Sequence, residues 1–212
     1  MGEIVLDALK ETLIMVFVST TFAVILGFIP AILLTVTAND GLKPNKIVYN
    51  ILDFIVNTLR SFPFVILMVI IVPLTRFIVG KSIGTTAAIV PLTIAAAPFV
   101  ARVIESSLRE VDKGVIEAAK AFGASNFQII FKVMLKEAVP SIMSGITLTI
   151  ISIVGYSAMA GAIGGGGLGD VAIRYGYQRF QTDVMVVTCI ILIIVVQLLQ
   201  FLGNYFYNKL SK

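Results

Sequence analysis

The sequence contains no histidine and no tryptophan, a single cysteine, and charged residues at only 13% of its 212 positions. Without histidine there can be no Ser-His-Asp triad, no zincin motif and no mixed Cys/His metal site. Cys189 has no disulfide partner within the chain; set inside an apolar run, it reads as a small residue facing lipid or a neighbouring helix. The scarcity of charge excludes more. A soluble domain is about 25% charged, and no lysine or arginine cluster here is dense enough for nucleic acid despite a net charge of +4. The N-terminus, MGEIVLDALKETL, lacks the basic start of a secretory signal. It carries Glu3, Asp7 and Glu11 instead, so the first apolar segment is expected to be retained as a membrane helix.

What the sequence does have is apolar length: 58% of residues are hydrophobic and the mean hydropathy is +1.01. Five stretches are long enough to cross about 30 Å of hydrocarbon. They cover 12–38, 61–79, 83–100, 139–163 and 184–205. The expected fold is therefore an all-α integral membrane protein, a single domain of five transmembrane helices with a polar loop, 101–138, between the third and fourth. Lysine and arginine concentrate in the loop after the first span, in 101–138 and in the tail (Lys209, Lys212), and are sparse on the other side. By the positive-inside rule the N-terminus lies outside, with the C-terminus and the 101–138 loop in the cytoplasm.

Residues 46–60 break the apolar pattern. Lys46, Asn50, Asp53, Asn57 and Arg60 recur at helical spacing opposite Val48, Ile51, Leu52, Ile55 and Leu59, which predicts an amphipathic helix. Asp53 or Arg60 at the bilayer centre would cost roughly 2.5–3.5 kcal/mol each. The segment is then either an interfacial elbow leading into the second span or a helix whose polar face lines an aqueous cavity.

The 101–138 loop carries its own punctuation. Asp112 is a good N-cap for a helix over about 113–122, Gly123 can take the positive φ that ends it, and Ser125 with Gln128 forms a capping-box pattern that opens a second helix. A short helix is thus held between two longer ones, packed on its own chain or presented to a partner. In the fourth span Tyr156, Ser157 and Met159 place two hydroxyls and a soft side chain among small neighbours. Ordinary helix packing accounts for them, and so does a translocation pathway with Met159 as a gate. The run GGGGLG matches G-x-G-x-x-G at Gly164, Gly166 and Gly169, yet follows an apolar helix where a dinucleotide site needs a strand, so a turn or close packing explains it better. Gly80-Lys81-Ser82 resembles the end of a P-loop without its first glycine, Thr75 standing there. The chain is therefore expected to have no ATPase of its own, no catalytic site and no cofactor.

EAAKAFG, 117–123, resembles the EAA motif of ABC importer permease subunits. In that family the motif forms a coupling helix seated in a groove of the cytosolic ATPase. The resemblance implies that role for Glu117, Ala118, Ala119, Phe122 and Gly123. The usual pattern continues with Ile-x-Leu-Pro, where this chain has Val133, Met134, Leu135 and Lys136; its nearest proline is Pro140. Three longer stretches are similar to methionine-uptake permeases: RSFPFVILMVIIVPLTRFIVG (60–80), IVPLTIAAAPFVARVIE (89–105) and IVGYSAMAGAIGGGGLG (153–169). The resemblance implies a type I importer fold, a second copy of the chain, two ATP-binding cassette subunits, an extracytoplasmic methionine-binding protein, and a bacterial inner membrane around them. It also implies alternating access driven by ATPase closure. The rival class is a gradient-driven carrier or channel; the five apolar stretches contain no Asp, Glu or His to relay a proton, while carbonyl-based sodium sites stay open.

Overall fold

Helix α1 runs unbroken from Gly2 to Thr37, with Pro30 inside it. At 1.5 Å per residue it is about 54 Å long, well beyond the apolar stretch that marks a crossing, and its first turns carry the exposed Glu3 and Asp7. The chain is described here by a computed structural model covering residues 2–211, so Lys212 of the basic tail lies outside the described residues. Helix α5, Thr85–Arg109, packs along much of the length of α1. Their shared core includes Met15, Val16 and Leu34 from one and Leu92, Val100 and Ile104 from the other. Small residues allow the approach: a Cβ on Gly27 would sit 2.6 Å from the Ala97 carbonyl oxygen. Ser19 donates to the Ile89 carbonyl across the same seam (3.3 Å).

The second apolar stretch does not form one straight helix. Helix α2, Lys46–Ser61, is N-capped by Asn45 and meets α3, Phe64–Ile70, at a bend of 100° through Phe62 and Pro63. A second break at Ile71 separates α3 from α4, Val72–Val79. Pro73, which has no N–H to donate to the preceding turn, accounts for that break. Together α3 and α4 span about 24 Å, short for a bilayer.

Helix α5 continues nine residues past the apolar stretch ending at Val100, because Arg102, Glu105 and Arg109 bond to partners of opposite charge as it leaves the apolar layer. Helix α6, Lys113–Ala121, follows after one turn. Helix α7 then runs from Asn126 to Ala162, so the second helix of the polar loop and the fourth apolar stretch are one element. It contains a π-helical turn over Ile129–Met134, and passes through Lys136 and Pro140 without a break. A glycine loop leads to α8, Gly167–Val171, which continues as a π turn over Ala172–Tyr177. Helix α9, Thr182–Leu210, closes the bundle at its edge, with Ile193 and Phe201 more than 60% exposed.

Among the described residues four helices (α1, α5, α7, α9) are long and apolar enough to cross a membrane, and the bent α2–α3 pair makes up to five. Several buried hydroxyls within them are satisfied in place: Thr20, Thr35, Thr149 and Thr188 each donate to the carbonyl four residues earlier, whereas the buried Thr93 hydroxyl of α5 has no partner among the described residues. The architecture is an all-α multi-pass membrane fold. One end holds the close of α1, the close of α5, and α6; the other holds the start of α1 and the glycine loop.

Candidate functional site

Helix α6 is held rigidly at both ends by local chemistry. The Asp112 carboxylate accepts the Gly114 N–H (2.6 Å). At the other end Ala124 N–H donates to the Ala119 carbonyl (3.1 Å) and Gly123 N–H to that of Lys120 (2.9 Å). This pairing is a Schellman cap, and it requires the left-handed φ of +79° that Gly123 takes. The Ser125 hydroxyl then accepts the Gln128 N–H while Gln128 accepts the Ser125 N–H, opening α7. Only Ile116 and Ala119 turn toward the core. Glu117 and Ala118 are exposed, and Phe122 is 91% exposed, a phenyl ring with nothing over it. A cleft of about 120 Å³ separates α6 from the ends of α1 and α5, lined among others by Asp40, Arg109, Lys113, Glu117 and Lys120.

Behind α6 lies a group of charges that hydropathy reading assigned to a loop. Arg102 donates to Asp53 (2.5 Å) and Asn57 (2.9 Å) of α2 and to Glu105 of its own helix (2.6 Å). Glu105 is 2% exposed; its second oxygen stands 3.6 Å from Arg109, an ion pair without a hydrogen bond. Arg109 reaches Asp40 in the turn before α2 (3.3 Å), and Asp40 faces Lys113 at the start of α6 (3.6 Å). The signal was available: 102, 105 and 109 fall on one helical face, and Asp53 and Asn57 belong to the polar stripe of α2. That stripe bonds to α5 through Asp53 and Asn57. Glu105 is an acidic group inside a long apolar helix, and two arginines occupy it.

The α7 residues separate. Ser157 is buried and donates to the Val154 carbonyl of its own helix (2.8 Å). Tyr156 is half-buried with its ring stacked on Phe64 of α3, centroids 4.8 Å apart. Met159 is half-exposed, on a stripe with Ser144, Leu148, Ser152 and Gly155 that no other element of this chain covers fully. The glycine run is tied rather than loose. Gly166 and Gly167 take φ of +80° and +76°, Gly167 donates to Glu11 (2.7 Å), Leu168 donates to Thr12 (2.9 Å), and Gly84 donates to the Gly164 carbonyl (2.8 Å). Gly161 meets Gly169 and Asp170 with no room for a side chain.

A bundle of long apolar helices that presents one short, doubly capped helix at its end is built like the membrane subunit of a larger transporter. Comparison with known proteins agrees. The model of the family described as binding-protein-dependent transport system inner membrane component matches residues 23–212. The chain belongs to that family, the permease subunits of ABC importers. Its relatives include the probable D-methionine transport system permease protein MetI of Vibrio cholerae, 50% identical over 210 residues, 99% of this chain and 93% of that one. The methionine import system permease protein MetP of Bacillus subtilis is 46% identical over 180 residues, 85% of this chain and 81% of its own. Among solved structures, a native crystal form of the MetNI methionine ABC transporter in an inward-facing conformation matches with a TM-score of 0.98 at 44% identity, covering 100% of this chain and 98% of that one. An amino acid ABC transporter solved with histidines shares the fold alone, at a TM-score of 0.81 and 20% identity.

Proposed function

We infer that the chain is the transmembrane permease subunit of a methionine ABC importer of the bacterial inner membrane, and that it works by alternating access. Two copies would form the pathway, each bearing one ATP-binding cassette subunit on α6, with an extracytoplasmic methionine-binding protein at the opposite face. The near full-length likeness to the MetNI permease supports the substrate class and the ATPase partner. The N-terminus would face outward and α6 the cytoplasm, as the distribution of lysine and arginine favours.

The observation that carries the docking reading is α6 itself: its caps fix its length and tilt, while its outer face, Glu117, Ala118 and Phe122, is left uncovered. Small residues let a groove approach the helix closely, and Phe122 supplies an apolar anchor of the kind that dominates interface energetics. On the pathway side, Met159 carries the proposal as a gate on the uncovered stripe of α7, while Tyr156, beside that stripe, packs on Phe64 of α3 and Ser157 stands on the packed side. A zwitterionic amino acid needs few fixed charges along such a path. Purification of the tagged chain in detergent with its ATPase tests the reading. Phe122→Ser should keep the chain in the membrane and lose most of the co-purified ATPase activity, roughly tenfold or more for an anchor of this kind. Undiminished co-purification and ATP-driven methionine uptake would overturn the docking role.

A further inference from the structure

The ion pairs behind α6 form one continuous line. It starts at Lys113 on α6, passes Asp40 and Arg109 to the buried Glu105, and ends with Arg102 held by Asp53 and Asn57 on α2. Its far end matters because of what α2 leads into. Val56 is buried, and Arg60 lies over the Phe99 ring (5.7 Å), so α2 is tied to α5 both at Arg102 and, one turn further on, at Phe99. Beyond the 100° elbow the chain enters α3, whose first residue, Phe64, stacks on Tyr156 three positions from Met159. The stretch between Arg102 and that stack contains no long loop to absorb a movement.

We propose that Arg102, clasped by Asp53 and Asn57, is the positioning group that makes α2 and α3 follow α5 when α6 is displaced, and so links ATPase closure to the α7 gate. The physical reason lies in the geometry of the clasp. A guanidinium presents several donors in one plane, so Arg102 can bridge two helices only while their separation and tilt stay fixed. Glu105 is buried with its charge balanced by arginines on both sides, so its desolvation resists any rearrangement that would pull Arg102 away. A lysine at 102 would offer a point charge without the planar fork. The proposal rests on α6 being the ATPase contact.

The test uses the assembled permease–ATPase complex in proteoliposomes, with ATP hydrolysis and methionine uptake measured on the same preparation. Asp53→Asn removes the clasp's charge from the α2 side while leaving Arg102 paired with Glu105, so the bundle keeps its buried balance. Assembly and hydrolysis should stay near the unmodified level while uptake per ATP falls roughly tenfold, within the usual range of coupling between sites. Asp53→Glu should restore most of it, and Arg102→Lys should resemble Asp53→Asn. A proportional fall in hydrolysis and uptake would mean a structural role only; unchanged uptake per ATP would mean no role. Either result overturns the proposal. Gly123→Val assayed alongside separates the two readings. Loss of coupling there with normal coupling in Asp53→Asn discards the clasp and keeps α6, and the reverse pattern discards α6.

Discussion

Glu105 shows how much one side chain can hold in a protein this poor in charge. It is 2% exposed and balances Arg102 and Arg109 at once. Replacing it with leucine would keep the volume but remove the charge between the two arginines, leaving Arg102 to Asp53 and Arg109 to Asp40. Removing one member of a fully buried ion pair costs about 3–5 kcal/mol, and the second carboxylate and partial exposure of each arginine put the cost here below that. Glu105→Leu should therefore lower the thermal midpoint of the detergent-purified chain markedly. Glu105→Gln, which still accepts from Arg102, should lower it less. Equal midpoints for the two variants would mean that the carboxylate charge contributes nothing. The same residue marks a limit of sequence reading. Hydropathy ends the third span at Val100 because charge follows, and the charges look like a loop until Asp53, 49 residues before Arg102, is known to stand opposite. The N-caps of α6 and α7, by contrast, were legible because each is made within three residues of the group it satisfies: Asp112 with Gly114, and Ser125 with Gln128.

At the scale of an element, α6 depends on its end more than on its middle. Gly123 has open space where a Cβ would stand, so the first cost of a valine there is the left-handed φ. That costs roughly 1–2 kcal/mol, borne entirely by the cap. Gly123→Val should leave the chain folded and membrane-bound while the last turn of α6 frays and methionine uptake falls; uptake at the unmodified rate would count against a rigid coupling element. The other elements divide by how far their determinants reach. The membrane-crossing parts of α1 and α9 follow from apolar length alone, whereas the charged first turns of α1 do not. The division of α3 from α4 follows from Pro73, a residue plainly visible in the sequence, but its effect is hidden by an apolar window that averages across it. The fusion of the loop helix with the fourth span into α7 was not legible, since Lys132, Lys136 and Glu137 interrupt the hydropathy without interrupting the helix.

For the whole molecule, the proposed orientation, with α6 toward the cytosol, rests on the charge asymmetry and can be checked directly. Cys189 is exposed on α9, so it must first be replaced by serine. A membrane-impermeant thiol reagent should then label Glu117→Cys only when it has access to the cytoplasmic face of sealed vesicles. Labelling from the outer face would invert the orientation of every helix. The uncovered apolar side chains, Ile29, Ile193 and Phe201 among them, fit a bundle bounded by lipid, whose outline the sequence foreshadowed through its hydropathy.

The tie between Glu11 and the glycine loop has a consequence for how the protein is made. The Glu11 carboxylate is synthesised ahead of the Gly167 amide that it binds, which follows 156 residues later. At about 5–20 residues per second, the first helix waits roughly ten to thirty seconds with that acid unclaimed before its partner exists. Thr12, which receives Leu168, waits as long. The first turns of α1 are thus among the last parts to reach their final contacts, and a nascent chain halted before the glycine run would hold α1 against α5 with those turns unfastened.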